Sequence, residues 1–257
     1  MALTATGEVL VRRATAILAD VAATEQELAG LRDKLAGRLV VGAFPAAAMA
    51  LAPFAIARMR AAHPGLAVLL HEASTPALLR QLRAKRLDLA VIGVGHGLPD
   101  YDLDGLRQTT VRQGSLLVAV GVGHPFAGRR SVTVAELAHE QWIVGAGAAD
   151  DPQFGAWPTL AEPRVAHSAR NWSTRLGLVA AGLGITVIPD LARAALPASV
   201  RTVSVADSHW PGRAAVAVTR AHPSLRAQAL ISALKEQAAT DDADDGRSPP
   251  ARDVAAG

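Results

Sequence analysis

The chain has 257 residues, of which 50% are hydrophobic, and its formal net charge is +3 at pH 7. A chain of this length can bury one sizeable core or two smaller ones, and so small a charge does not by itself indicate nucleic-acid binding. There are no cysteines, which excludes a disulfide framework, a thiol nucleophile and thiolate metal sites within these residues. The sequence shows neither a long apolar run nor an export signal, so we expect a cytoplasmic protein without a membrane segment.

A long helix is predicted over residues 1–36. Its apolar or small residues recur at alternating spacings of four and three, the heptad pattern of a helix that pairs with another helix. The predicted seam consists of Leu10, Ala14, Ile17, Val21, Thr24, Leu28, Leu31 and Leu35. We interpret it as a coiled-coil linker that dimerises with a second copy of the chain and ends near Gly37. The alternative is an amphipathic helix that folds back onto its own domain.

Residues 38–93 alternate between predicted strands and helices. The segments are "RLVVGAF", "MALAPFAIARMRAAHP", "LAVLLHEA", "PALLRQLRAKR" and "LDLAVIG". The strand segments are almost continuously apolar, which is typical of parallel strands that are covered on both faces. This pattern predicts an α/β fold. The tail, residues 240–257, contains mostly acids, prolines and small residues, and we expect it to be disordered.

The ordered series "LTATGEVLVRRATAIL", "GRLVVGA", "LAPFAIARMRAAHPGLAVLLHEAST", "LLRQLRAKRLDLAVIG", "VGHPFAG" and "LVAAGLGITVIP" resembles the LysR-type transcriptional regulators from Leu3 to about Ala239. The resemblance implies a long helix followed by an effector-binding domain, residues 37–239, with the type 2 periplasmic-binding-protein fold. That fold has two α/β lobes with a ligand cleft between them.

The resemblance also implies lobe boundaries. Lobe one would comprise residues 38–112 and 221–239, and lobe two residues 113–220. The chain would cross between the lobes near Thr110 to Gln113 and again near Val218 to Arg220.

Three predicted strand-to-helix turns of lobe one, "GAFPAAAM", "HEASTPAL" and "IGVGHGLP", should face the cleft, because open α/β sheets bind ligands at the carboxyl ends of their strands. In the second turn Ser74 or Thr75 precedes Pro76 at a helix start, where free amides favour a carboxylate or phosphate. Thr75 matches, by resemblance, a position where the family often places a hydroxyl on its effector. The alternative is that both residues are ordinary helix caps.

The candidate effector-binding residues of the other two turns have no polar side chains. The first contains Pro45, Ala46 and Ala47 where the family often has a serine or threonine, which favours an effector with an apolar part. The third turn contributes Gly93 and Val94.

In lobe two, "VGAGAADD" and "HSARNWSTRLG" should form the opposing wall of the cleft. The first contributes Gly147 and Ala148. The second contributes Asn171, Trp172 and Ser173, whose amide, indole and hydroxyl could orient or stack on a ligand. The alternative is that Trp172 packs in the core of the lobe and Ser173 caps a helix.

Catalytic and cofactor motifs are weak. The glycine-rich turns do not complete the dinucleotide-binding pattern, the histidines lack metal-ligand spacing, and the serines lack a nucleophile elbow. We therefore expect no enzyme activity, no cofactor and no metal. The competing function is a stand-alone solute-binding protein of the same two-lobed fold.

The resemblance implies transcription regulation by a small-molecule effector, in a homodimer or tetramer. It also implies a winged helix-turn-helix before the long helix, and none precedes Met1. We therefore expect DNA binding only through a domain missing from this chain. Gel-shift assays with this chain alone should show no sequence-specific complex.

Overall fold

The computed structural model describes residues 35–146 and 154–245, together with Gly7, Leu10 and Ala14; for residues 244 and 245 it describes the backbone alone. Within these residues no helix has both the length and the apolar character needed to cross a membrane.

Lobe one contains a five-stranded sheet in the order β2-β1-β3-β11-β4. Its strands are β1 (Gly37–Ala43), β2 (Leu66–Glu72), β3 (Leu89–Gly95), β4 (Leu106–Gly114) and β11 (Arg213–Arg220). Strand β1 pairs in parallel with β2 and β3, and β11 is antiparallel to both β3 and β4. The parallel strands are joined by helices, as the alternating sequence pattern predicts.

Helices cover both faces of this sheet. They are α1 (Pro45–Ala50), α2 (Ala52–Ala62), α3 (Thr75–Arg83) and α6 (Leu225–Asp245). Side chains of β3 alternate between the faces, so that Val91 packs in the core beneath α2 and α6 while Ile92 packs in the core beneath α3. Burial on both faces explains why "LDLAVIG" lacks the polar alternation of a half-exposed strand.

Lobe two contains a four-stranded sheet in the order β6-β10-β5-β9 and a parallel pair, β7 and β8. Its strands are β5 (Leu116–Gly121), β6 (Ser131–Thr133), β7 (Gln141–Gly145), β8 (Arg164–Ala169), β9 (Thr186–Pro189) and β10 (Val200–Ala206). Its helices are α4 (Val134–Leu137), α5 (Trp172–Ala180) and a 3₁₀ helix (Asp190–Ala195). The predicted α/β fold with two lobes is therefore confirmed.

The chain crosses between the lobes at two adjacent places. The first crossing lies between Gly114, the last residue of β4, and Leu116, the first residue of β5, just beyond the predicted position. The second lies between Ala206, which ends β10, and Arg213, which begins β11. Gly114 and Arg213 are paired neighbours in the sheet, so both crossings lie side by side.

Two predicted boundaries are wrong. Residues 213–220 belong to lobe one rather than lobe two, because the whole of β11 is hydrogen-bonded between β3 and β4. The predicted disordered tail begins too early, because α6 continues to Asp245. The remaining tail, residues 246–257, lies outside the described residues.

The predicted dimerisation helix is described at only a few positions. Gly7, Leu10 and Ala14 are helical, and the Leu10 side chain is 69% exposed. Leu35 lies in a turn and packs against the core of lobe one. The other predicted seam residues lie outside the described part of the chain: Ile17, Val21, Thr24, Leu28 and Leu31.

Candidate functional site

A cleft lies between the lobes, with an empty volume of about 820 Å³ that includes the open solvent at its mouth. Lobe one lines it with the turns that follow β1, β2 and β3 and with the end of β4. Lobe two lines it with the start of the 3₁₀ helix and the first residue of α5. A cleft bounded by both lobes, with a mainly apolar lining and a few polar groups, suits a small molecule.

Six of the predicted effector-binding residues line the cleft: Pro45, Ala46, Ser74, Thr75, Gly93 and Trp172. Five of them come from the three lobe-one turns. They meet because the strands that precede them end at the same edge of the sheet, as the parallel order of β2, β1 and β3 requires. Their role in binding remains a prediction.

Four other predicted residues do not line the cleft. Ala47 points into the core of lobe one, because it lies about 100° around the axis of α1 from Ala46. Val94 packs toward α3, because side chains alternate between the two faces along β3 and Gly93 takes the face of the cleft. Asn171 is the N-cap residue of α5, and Ser173 is exposed on that helix. The remaining two predicted residues, Gly147 and Ala148, lie outside the described residues.

The turn before α3 presents hydroxyls that the helix itself does not use. Ser74 is the N-cap residue, Pro76 occupies the first turn, and the Ser74 side chain makes no capping hydrogen bond in the described structure. Thr75 is 7% exposed and lines the cleft. Two hydroxyls and the amides of a helix start are thus available to a polar ligand group, which goes against the interpretation of Ser74 as an ordinary cap.

Arg112 and Asp190 lie beside the cleft and were not predicted. The Arg112 side chain, on β4, is 6% exposed and lies 3.7 Å from the Asp190 carboxylate, at the start of the 3₁₀ helix of lobe two. A second carboxylate, that of Asp242 on α6, lies 2.5 Å from Arg112. Both carboxylates come from segments far away in sequence, so no local pattern could have indicated this cluster.

Asp190 also binds the backbone at the first crossing. Its carboxylate accepts hydrogen bonds from the backbone N–H of Ser115, at 3.0 Å, and of Leu191, at 2.7 Å. A Cβ atom at Gly114 would lie 2.6 Å from the same carboxylate, so glycine is what allows this close approach. Asp190 therefore holds the crossing strand as well as the buried guanidinium.

Arg213, another residue that was not predicted, lines the cleft at the second crossing between the lobes. Its guanidinium donates hydrogen bonds to the carbonyl oxygens of His96, at 2.9 Å, and Gly97, at 3.2 Å, both in lobe one. The same group lies 5.2 Å from the ring of Phe154 and 5.4 Å from the ring of Trp210. Burial lowers the pKa of Arg213 to about 10, which leaves it positively charged at neutral pH.

The lobe-two wall is aromatic. The rings of Trp172 and Phe154 both line the cleft and lie 5.5 Å apart at an angle of 58°. On the Trp172 ring lies the guanidinium of Arg175, with Cζ 4.0 Å from the ring centroid. The residue Arg175 is 1% exposed, and burial lowers its pKa to about 10. This wall can stack on an apolar or aromatic ligand group.

The arrangement supports binding more clearly than catalysis. Pocket residues offer hydroxyls, amides, rings and guanidinium groups, which fix a ligand without supplying a nucleophile and base in contact. Within residues 35–146 and 154–245 we find no group of three or more metal-ligating side chains that could hold an ion.

Comparison with known proteins gives a consistent result. A family model described as the LysR substrate binding domain matches residues 32–239. The chain is 28% identical over 192 residues to the DNA-binding transcriptional dual regulator OxyR of Escherichia coli K12, which covers 74% of this chain and 61% of that protein. Other relatives are named hydrogen peroxide-inducible genes activators. The chain thus spans less than two thirds of the length of these curated relatives.

Two solved structures have a similar fold. OxyR of Corynebacterium glutamicum matches with a TM-score of 0.66 and 23% identity, over 96% of this chain and 79% of that one. HinK of Pseudomonas aeruginosa, a LysR family transcriptional regulator, matches with a TM-score of 0.63 and 22% identity, over 92% of this chain and 81% of that one.

Proposed function

This chain belongs to the LysR substrate-binding domain family, and from that membership we propose that it is the effector-sensing and dimerisation portion of a ligand-responsive transcriptional regulator. The observation that carries the proposal is the cleft, whose two walls come from different lobes. A ligand that touches both walls stabilises the arrangement in which the lobes are close, and so it shifts the population of arrangements. We propose that this shift is the regulatory signal.

The effector that fits best is a small carboxylate with an apolar part. The hydroxyls of Ser74 and Thr75 and the start of α3 provide hydrogen-bond donors for an anionic group. Ala46 and the rings of Phe44 and Trp172 provide apolar contacts. The mixture of a few polar groups in a mainly apolar site is typical of small-molecule binding.

Thiol oxidation does not explain sensing by these residues. Some relatives are named for induction by hydrogen peroxide, and the thiolate is the side chain that peroxides oxidise most readily. Residues 1–257 contain no cysteine. We therefore infer that the signal reaches this chain as a non-covalently bound ligand.

We also propose that the regulator is a homodimer or tetramer joined through the N-terminal helix. Leu10 and Ala14 are both exposed on a helix and are separated by one turn, as two members of a heptad seam should be. DNA binding would then belong to a domain that has no counterpart within residues 35–245. Changes in the cleft would reach that domain through the paired helices.

Ligand binding in the cleft can be tested with a cleft-filling variant. A Cβ atom at Gly93 would meet only the end of Leu98, at 3.6 Å, so Gly93→Leu should fill the cleft without straining the fold. The matched control is Gly128→Leu, because a Cβ there would meet nothing within 4 Å.

The assay is a thermal-shift screen of small carboxylates and aromatic acids. A ligand specific to the folded protein raises its melting temperature. We expect compounds that stabilise the unaltered protein and Gly128→Leu but not Gly93→Leu. A shift that persists in Gly93→Leu would contradict binding in the cleft.

Dimerisation can be tested by sedimentation equilibrium. Replacing Leu10 and Ala14 together with glutamate places like charges on the predicted seam and should convert the dimer to monomers. Arg12→Glu, which changes a position outside the seam, should leave the dimer intact. Monomers in the unaltered protein would contradict the proposal.

A further inference from the structure

Among the described residues Arg175 has no charged partner, although its side chain is buried. Its Nε and Nη1 atoms are inaccessible to solvent and have no hydrogen-bond partner in the described part of the chain. Buried polar groups in folded proteins are nearly always hydrogen-bonded, and a buried charge without a partner is costly to keep. An orphaned guanidinium therefore calls for an explanation in terms of what it binds.

Within the described residues Arg175 makes an electrostatic contact only with the Trp172 ring. Trp172 lies one helical turn before Arg175 on α5, so the two side chains are neighbours on that helix. The face of an indole ring attracts a cation, but it offers no acceptor to the guanidinium N–H groups. The contact stabilises the charge in part and leaves its hydrogen-bonding capacity unused.

Trp172 lines the cleft and is only partly buried, and the guanidinium of Arg175 lies 4.0 Å from the centroid of the same ring. The start of α5 adds to the positive character of this wall, since Asn171 makes no side-chain capping bond to the free amides there. A helix start and a buried guanidinium thus lie next to one cleft-lining side chain.

The other two guanidinium groups at the cleft already have oxygen partners. Arg112 lies against the carboxylates of Asp190 and Asp242, and Arg213 donates to two backbone carbonyls. An incoming anion would have to displace these partners, whereas at Arg175 it would have to displace only an aromatic ring.

We propose that Arg175 is an anion-binding residue of the lobe-two wall, reached when the Trp172 ring moves off its guanidinium. The effector then carries an anionic group, a carboxylate or phosphate, at its lobe-two end. This inference rests on the proposed effector-binding function and adds to it an anion-binding position in lobe two, the residue that binds the anionic group there and the side chain that gives access. A pair of charge-assisted hydrogen bonds would hold the anion.

The test uses acids matched with their neutral amides: acetate with acetamide, benzoate with benzamide, and indole-3-acetate with indole-3-acetamide. Melting temperature is measured with all three pairs at constant ionic strength, and tryptophan fluorescence with the acetate and benzoate pairs, because the indole ligands fluoresce themselves. We expect acids to stabilise the unaltered protein and to change its fluorescence, while the amides do neither. In Trp172→Phe the fluorescence change should be lost.

The variants Arg175→Leu and Arg175→Lys separate binding from structure. The leucine variant loses the charge, so we expect it to bind acids about tenfold or more weakly and, without added acid, to melt at a higher temperature than the unaltered protein. The lysine variant keeps the charge and should keep part of the response. A purely structural role would give the opposite change in melting temperature for the leucine variant.

Several results would overturn the inference. They are equal stabilisation by acids and amides, an unchanged acid response in Arg175→Leu, and no response of the unaltered protein to any acid. If amides stabilise the protein and Gly93→Leu abolishes that effect, the inference fails but the proposed effector cleft stands. If acids act in Gly93→Leu but not in Arg175→Leu, the anion site stands and the proposed cleft fails.

Discussion

The guanidinium of Arg112 lies 3.7 Å from the carboxylate of Asp190, and this ion pair joins the two lobes beside the cleft. Both side chains are shielded from water, with 6% and 19% of their surfaces exposed. The more exposed Asp242 completes the cluster from the end of α6. The link between the lobes is therefore electrostatic as well as covalent.

Replacing Asp190 should cost far more stability than replacing Asp242. Asp190→Asn removes a largely buried charge that also accepts two backbone N–H groups, and we expect the free energy of unfolding to fall by about 2–4 kcal/mol. Asp242 has 55% of its side chain exposed, so solvent screens its ion pair with Arg112. Asp242→Asn should therefore lower the free energy of unfolding by only about 0–1 kcal/mol. Urea denaturation of both variants measures the difference. Equal losses would show that Asp190 does not have the central role assigned to it.

The stability of lobe two should depend on the ionisation of Asp207. Its carboxylate accepts hydrogen bonds from the Thr159 hydroxyl and the Trp157 indole, at 2.6 and 2.8 Å, which hold its pKa below the ordinary value of 3.8. A carboxyl whose pKa is lower in the folded state stabilises the fold above its unfolded pKa. That contribution is lost as the pH falls through the folded pKa.

Asp207→Asn should therefore have a lower free energy of unfolding than the unaltered protein at neutral pH. This difference in unfolding free energy, the gap between the two proteins, should narrow as the pH falls below 3.8. The measurement is urea denaturation across a pH series. Asp100→Asn, a change at an exposed aspartate, serves as the control and should show no such gap. A gap that stays constant down to acid pH would refute the role of ionisation.

Two glycines of lobe two should respond in opposite ways to alanine. A Cβ at Gly177, on the exposed side of α5, would meet nothing within 4 Å, so Gly177→Ala should raise the free energy of unfolding by about 0.5–1 kcal/mol. Gly184 has a φ of +149°, and a Cβ there would lie 2.6 Å from the carbonyl oxygen of Gln141. Gly184→Ala should lower the same free energy by about 1–3 kcal/mol. Thermal and urea denaturation measure the change in unfolding free energy for both variants. Changes of the same sign would contradict the backbone geometry described at Gly177 and Gly184.

The Arg213 contacts require the flat guanidinium fork and not just a positive charge. Arg213→Lys keeps the charge but cannot span the carbonyls of His96 and Gly97 while lying on aromatic rings, and we expect a loss of about 1–2 kcal/mol in unfolding free energy. Arg60→Lys, at an exposed position on α2, should have no measurable effect. An equally small effect at Arg213 would mean that the charge alone matters.

The strands could be predicted from the sequence because a buried strand has an apolar pattern within its own residues. The continuous apolar run of β3 reflects helices on both of its faces, and this holds whichever strands lie beside it. The place of β11 was missed for the converse reason. The segment "AAVAVTR" indicates a buried strand, but its pairing with β3 and β4 depends on segments that are distant in the sequence, residues 89–95 and 106–114.

The cleft was predicted in part on the same grounds. Thr75 and Gly93 follow parallel strands, and the ends of parallel strands meet at one edge. The charged residues escaped prediction, because Arg112 meets Asp190 and Asp242 only in the folded chain. Arg175 was not predicted, because only the packing of α5 shows that its side chain is buried.

The last strand of lobe one, β11, lies between β3 and β4, yet it follows the whole of lobe two in the sequence. At the other end of the module, Arg226 of α6 donates a hydrogen bond to the carbonyl of Ala36, just before β1. While the chain is being synthesised, lobe two therefore emerges complete from the ribosome before the sheet of lobe one has received its last strand. Until residue 220 has been synthesised, β3 and β4 have no strand between them, and their edges are unpaired. This interval is the stage of synthesis at which the chain is most exposed to misfolding and aggregation.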